Sequence, residues 1–174
     1  MKKKDNHSEK ESTISQNIKK IAIVGLPNTG KSQIFNFLTG EYTIIANYPL
    51  TTVEIKETRC KIGDQPYKVF DTPGLHSIYI HSEEELVVRD MLFSEKPEII
   101  IQSINANQVK QSLTLTADLL ELGIPMIISL NAIDETVQRG IKINAQTLSQ
   151  KLGIPVIKIR SLQDRGTEKL KMAI

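Results

Sequence analysis

One cysteine, no long apolar run and almost no net charge are the first things this chain lacks, and each lack closes a class of protein. Cys60 is the single cysteine in 174 residues, so no internal disulfide can form and a reducing cytoplasm is the expected setting. No apolar run approaches the length a bilayer requires, so no membrane span is expected in this chain. Met1-Lys2-Lys3-Lys4 is not followed by the apolar stretch of a secretory signal. Lysine and arginine total 22 against 20 acidic residues, and a net charge of +2 is too small to argue for nucleic acid as a partner. There is no Cys/His cluster of zinc spacing and no internal repeat. His7, His76 and His81 read as solvated loop residues.

What remains is the composition of a packed globule, 40% hydrophobic, with enough chain for one α/β domain. Residues 1–19 are polar and lysine-rich with no apolar period and read as a disordered tail. A basic arm touching anionic lipid or a partner is the alternative, but Asp5, Glu9 and Glu11 dilute its charge. Residues 20–174 are expected to fold as one unit. Ile21-Ala22-Ile23-Val24 reads as a buried strand, 31–38 as a helix stopped by Gly40, and 41–50 as a loop. Strands are expected over 52–62 and 67–70, joined by Gly63-Asp64, and over 98–104, 125–130 and 155–159. Helices are expected over 82–92, 108–122, 144–152 and 167–174. This alternation predicts a mostly parallel six-stranded sheet with one antiparallel strand and helices on both faces. In such folds ligand loops gather at the carboxyl ends of the strands.

Gly25-Leu26-Pro27-Asn28-Thr29-Gly30-Lys31-Ser32 lies between the first strand and the first helix and fits G-x-x-x-x-G-K-[ST]. An ordinary Gly-rich turn would match the letters, but not so readily with a strand before it and a helix after it. The glycines let the backbone wrap closely, and successive N–H groups with the helix N-terminus face an anion. Gly25, Pro27, Asn28, Thr29, Gly30, Lys31, Ser32 and Gln33 are therefore expected to surround a phosphate chain, with Lys31 reaching the β- and γ-phosphates and Ser32 ligating Mg²⁺. Val69-Phe70-Asp71-Thr72-Pro73-Gly74 ends an apolar run in a carboxylate and a turn. Asp71 can hold a water on Mg²⁺, and the Gly74 N–H can bond the γ-phosphate. Thr52 lies between them and could close the Mg²⁺ shell. Ile127 to Asp134 delivers N-x-x-D after another apolar run. The Asp134 carboxylate can accept both the ring N–H and the exocyclic amine of guanine, a donor pair adenine lacks, so Asn131 and Asp134 make a candidate guanine reader.

Together these residues resemble the GTPase superfamily that includes Ras, Era and Obg, and more closely the cytoplasmic G domain of the FeoB ferrous iron transport family. The resemblance covers residues 20–174. Asn47-Tyr48-Pro49-Leu50-Thr51-Thr52-Val53-Glu54 is similar to that family's N-W-P-G-V-T-V-E switch I. Ile34-Phe35-Asn36-Phe37-Leu38-Thr39-Gly40, the run Ser82 to Asp90 (S-x-E-E-x-x-x-R-D), Glu95-Lys96-Pro97-Glu98 and Leu120-Glu121-Leu122-Gly123-Ile124-Pro125 also fit. Departures are Tyr48 for Trp, Leu50-Thr51 for Gly-Val, Asn105 for Asp, Ala132 for a Lys or Met, and Leu162 within the last guanine-contact motif, Ser161 to Gly166.

The resemblance implies a domain that binds GTP and GDP with Mg²⁺, with Ser161 and the Leu162 N–H at the guanine. Lys31, Asn28, Thr52 and Gly74 are the residues expected to act at the γ-phosphate. Leu75 follows the D-T-P-G turn where a glutamine could have oriented water. Asn28 stands where potassium-dependent GTPases use an asparagine to help bind K⁺. Turnover is expected to be slow, on the order of 10⁻⁴ to 10⁻² per second without a partner. The implied partner is a membrane iron permease domain, fused or separate, placing this chain at the inner face of the cytoplasmic membrane. Two alternatives stand beside it. One is a ribosome- or RNA-associated GTPase of the Era or Obg kind, although no RNA-binding module is appended. The other is a guanine-nucleotide binding module that has lost hydrolysis, a reading that the intact Lys31, Ser32, Thr52 and Asp71 oppose and that Ala132 and Leu162 leave open.

Overall fold

Ile21 to Val24 are all fully buried, as a strand with helices over both faces must be, and the rest of the sheet is arranged around them. The computed structural model describes residues 18–40, 44–47, 53–159 and 165–174. Most of the expected tail, Thr52, Ser161 and Leu162 lie outside the described residues.

The strands are β1 (Lys19–Val24), β2 (Ile44–Asn47), β3 (Glu54–Ile62), β4 (Gln65–Asp71), β5 (Ile99–Asn105), β6 (Met126–Asn131) and β7 (Val156–Lys158). They form one seven-stranded sheet in the order β2-β3-β4-β1-β5-β6-β7. β1 pairs in parallel with β4 and β5, and β6 lies parallel to β5 and β7. β3 is antiparallel to both β2 and β4, so it alone runs against the sheet, as expected. The six expected strands are present. β2 adds a seventh at the edge, within the stretch read as a loop. Four residues are too few to show a period, and their register comes from β3.

Alternate residues of β1 serve opposite faces. Ala22 and Val24 join Phe70, Ile100, Ile128, Val88 and Leu115 in one apolar cluster. Ile21 and Ile23 join Phe35, Val69, Ile101, Ile127 and Leu170 in the other. The helices are α1 (Lys31–Thr39), α2 (Glu83–Glu95), α3 (Val109–Glu121), α4 (Ile133–Gln138), α5 (Ala145–Leu152) and α6 (Arg165–Ala173), and α1, α2, α3 and α6 supply Phe35, Val88, Leu115 and Leu170 to these clusters. α2 opens on Ser82, whose side chain accepts from the Glu85 N–H at 3.2 Å, and carries three glutamates in its first turn, where the helix dipole favours them. α4 was not anticipated, because six residues do not complete two helical turns of apolar pattern.

Register then decides what meets at the carboxyl edge. Ile23 lies opposite Asp71, Val24 opposite Gln102, and Asn105 opposite Asn131. The loop leaving β1, the end of β4 and the ends of β5 and β6 are thereby brought side by side.

Candidate functional site

The chain leaves β1 at Gly25, where a Cβ would collide with the backbone carbonyl oxygen of Ser103 on β5. Glycine is what lets the loop lie directly on the sheet. Three residues on, Asn28 takes a left-handed backbone (φ 59°), which asparagine tolerates better than most side chains, and Gly30 follows at φ 93°. The Thr29 hydroxyl donates to the Leu26 carbonyl at 2.9 Å. Lys31 opens α1 with its side chain turned back beneath the loop, and Nζ donates to the carbonyls of Leu26 (2.9 Å) and Gly25 (3.2 Å). Residues Pro27 to Gln33 and Thr72-Pro73-Gly74 line a cleft of about 560 Å³.

The far wall of this cleft is the end of β4. Ser32 Oγ donates to Asp71 Oδ2 at 2.7 Å, while Asp71 Oδ1 is buried without a hydrogen-bond partner. An unpaired buried carboxylate oxygen is costly, and a hard cation is the natural partner for it. One carboxylate and one hydroxyl, completed by phosphate oxygens and water, is the donor set Mg²⁺ prefers, so the residues fit that ion. Burial pushes the Asp71 carboxyl above its ordinary range, against the pull of the Ser32 bond and the charges of Lys31 and Lys56. Burial likewise lowers the Lys31 ammonium, and the nearby Asp71 offsets part of this. Lys31 is only 8% exposed, so its charge acts in a medium where attraction to phosphate is weakly screened.

The D-T-P-G turn is fastened to the phosphate loop. Thr72 Oγ1 donates to the Ile23 carbonyl at 2.9 Å. A Cβ on Gly74 would stand 2.6 Å from Pro27 Cγ, so the turn packs against Pro27 through a bare backbone. The Leu75 N–H donates to the Gly25 carbonyl at 3.1 Å, and its side chain, 1% exposed, belongs to the core. Leu75 is therefore an anchor for the turn and has no reach toward the cleft.

Asn131 ends β6 against the phosphate loop. Its Nδ2 donates to the Thr29 carbonyl at 2.8 Å and to Ser103 Oγ at 3.0 Å, and its Oδ1 accepts from Ser129 Oγ at 2.9 Å. Ala132 then turns in a left-handed conformation (φ 56°) and starts α4, which carries Asp134 exposed in its first turn. The structure thus brings together Gly25, Pro27, Asn28, Thr29, Gly30, Lys31, Ser32, Gln33, Asp71, Gly74 and Asn131. Asp134 stands on a separate helix, and Thr52, Ser161 and Leu162 lie outside the described residues. Sequence reasoning missed Ser103, Ser129 and Thr72. A serine inside each of the apolar strands β5 and β6 was the available signal.

The family model for ferrous iron transport protein B matches residues 19–174. Among similar curated proteins, the Fe(2+) transporter FeoB of Escherichia coli strain K12 is 37% identical over 158 residues, covering 88% of this chain and 20% of that protein. The corresponding transporter of Salmonella typhimurium is 35% identical over the same shares. This chain therefore spans about a fifth of the length of those relatives. Among solved structures, the G domain of the T. maritima FeoB iron transporter superposes with a TM-score of 0.81 at 34% identity, covering 90% of this chain and 96% of that one. A GDP-bound mutant of S. thermophilus NFeoB gives 0.81 at 37% identity, over 90% and 62% of the two chains.

Proposed function

The chain belongs to the ferrous iron transport protein B family, and from that premise we propose that it binds GTP and GDP with Mg²⁺ and hydrolyses GTP slowly, as a switch for ferrous iron transport. The observation that carries the nucleotide reading is the buried pair Lys31 and Asp71, with the exposed Ser32 bonded to Asp71, at a glycine-framed cleft. The relatives' names supply the transport reading: they are Fe(2+) transporters of which this chain matches a fifth. A membrane permease domain, fused or separate, is the partner this reading requires, and it places the chain at the inner face of the cytoplasmic membrane.

Each residue then has a task. The loop N–H groups from Asn28 to Ser32, together with Gln33 at the helix start, receive phosphate oxygens, and Lys31 exchanges the carbonyls of Gly25 and Leu26 for the β- and γ-phosphates. Ser32, Asp71 and Thr52 are the residues that would hold Mg²⁺, which would supply neutralisation of the phosphate charge. The Gly74 N–H reports the γ-phosphate. Asp134 reads guanine, with Ser161 and the Leu162 N–H as further contacts to the base. Attack by water on the γ-phosphate passes through a loose transition state in which positioning and charge matter more than a strong base. Leu75, buried in the core, offers nothing to orient that water, so slow intrinsic turnover follows. Asn28, on the cleft wall, is the residue that would help hold K⁺ beside the phosphates.

Competition against a fluorescent GDP analogue tests the nucleotide reading. GTP is expected to displace the analogue at concentrations at least ~10-fold below those needed for ATP, the discrimination of one lost buried polar pairing. Equal competition by ATP and GTP overturns it.

A further inference from the structure

Ser103 is fully buried within β5, between Gln102 and Ile104, where a serine hydroxyl is unfavourable unless both its hydrogen and its lone pairs are used. Both are used. Oγ donates to the Thr29 carbonyl at 2.7 Å, and since a hydroxyl has one hydrogen, toward Asn131 it accepts. That sets the orientation of the Asn131 amide: the NH₂ group faces Ser103 and Thr29, and Oδ1 faces Ser129 Oγ. Both amide hydrogens are consumed within the protein. The backbone of the same residue lies beneath Gly25, whose Cα rests on the Ser103 carbonyl. One residue of β5 thus supports the phosphate loop near both of its ends and holds the asparagine that opens the base-reading segment.

Resting on the guanine-nucleotide reading, we propose that Ser103 is a positioning residue for nucleotide binding: its hydroxyl couples the base-reading segment after β6 to the phosphate loop by fixing Asn131 against Thr29. Thr29 and Asn131 are 102 residues apart in the chain, and the Ser103 and Asn131 side chains bridge them directly. A shift of β6 when a base docks is passed to the Thr29 carbonyl, between Asn28 and Gly30, through a pair of hydrogen bonds rather than through backbone. Sequence at position 103 thereby sets how strongly the two ends of the nucleotide reinforce each other.

The test is a titration with a fluorescent GDP analogue on wild type, Ser103→Thr and Ser103→Val, repeated in an Asn131→Ala background. Threonine and valine have the same shape and differ by the hydroxyl, and both suit a strand. Ser103→Val is expected to weaken GDP about tenfold, the effect of losing buried hydrogen bonds of this kind, while Ser103→Thr stays within about twofold. In the Asn131→Ala background the valine step is expected to cost less than about twofold, because its partner is gone; such non-additivity marks direct coupling. If Ser103→Val fails to fold, Ser103→Ala replaces it in the same cycle. Equal losses in the threonine and valine variants, an unchanged affinity in Ser103→Val, or a full tenfold loss in the Asn131→Ala background each overturn the inference. A wild type that does not bind GDP overturns the guanine-nucleotide reading, and this inference with it.

Discussion

The phosphate end and the guanine end of the cleft are built by different means. At the phosphate end the proposed recognising groups are backbone N–H groups and one buried lysine, held by close backbone approaches: Gly25 on Ser103 and Gly74 on Pro27. At the guanine end the proposed reader is a side chain, Asp134, exposed on the six-residue helix α4. The first kind of site is costly to alter, because moving it means moving strands. The second can change its ligand by one substitution without touching the core. A site divided in this way keeps its affinity for phosphates nearly fixed and leaves base choice adjustable.

Breaking the phosphate end gives the largest expected effect. Gly25→Ala drives a methyl group into the Ser103 carbonyl, a backbone atom that cannot swing aside. The expected destabilisation is about 1–3 kcal/mol, typical of an overpacked core. GDP affinity is expected to fall on the order of 10²-fold, since a displacement of ~1 Å in positioned groups has that scale of effect. Gly40→Ala is the matching control. Gly40, unlike Gly25, has a positive φ of 73°, and nothing lies within 4 Å of its Cβ position. It should lose about 1–2 kcal/mol through backbone strain alone while GDP affinity holds. Denaturant unfolding paired with GDP titration separates the two, and a Gly25→Ala protein with native affinity would show that the loop does not depend on its contact with β5.

The same division explains what could be read from the amino-acid sequence. The phosphate loop was legible because its requirements are covalent: glycine where backbones touch or φ is positive, lysine and serine at fixed offsets. The sheet was legible because its buried strands are uninterrupted apolar runs such as Ile21 to Val24. β2 and α4 were not legible, because four and six residues are shorter than the patterns that identify strands and helices. Nor were the partners of Asn131. That Ser103 and Ser129 converge on it follows from the β5–β6 register, in which Ser103 lies opposite Ser129, and register is a tertiary fact. The role of Leu75 was legible only as an absence of glutamine; its burial and its bond to Gly25 came from the fold.

At the guanine end the expected effect is smaller and takes the form of a changed preference. Asp134→Asn replaces an acceptor pair by one acceptor and one donor, which suits the 2-oxo group of a xanthine nucleotide better than the 2-amino group of guanine. GDP affinity should drop by about 1–3 kcal/mol, the range for an unmatched polar pairing, and xanthosine diphosphate should gain. Because Asp134 is exposed, unfolding should stay within about 0.5 kcal/mol of wild type. Competition titrations with guanosine, xanthosine and adenosine diphosphates check this. A uniform loss for all three would place Asp134 in the support of the phosphate end, erasing the distinction between the two.

The smallest expected effect is on rate, and it asks whether the phosphate end is catalytically complete. Leu75 is committed to the core and cannot orient water, so the γ-phosphate lacks a side chain acting on the nucleophile from that position. Asn28 lines the cleft and has a left-handed backbone. Its side-chain carbonyl can contribute one oxygen to a monovalent cation site completed by phosphate oxygens. A fixed positive charge there acts where charge accumulates on the bridging oxygen, so it should raise kcat more than it tightens GTP binding. Sodium is smaller and should be held less well by the same oxygens. Single-turnover hydrolysis in KCl and in NaCl at equal ionic strength is therefore expected to differ by about tenfold in the wild type, a modest share of the 10³ to 10⁵ that an arginine finger supplies. Asn28→Ala should lower the KCl rate to the NaCl rate and leave GDP affinity within about twofold, since the backbone N–H groups of the loop do the binding. Equal rates in the two salts would mean that Asn28 serves only the shape of the loop, and that the missing transition-state charge comes from a partner protein.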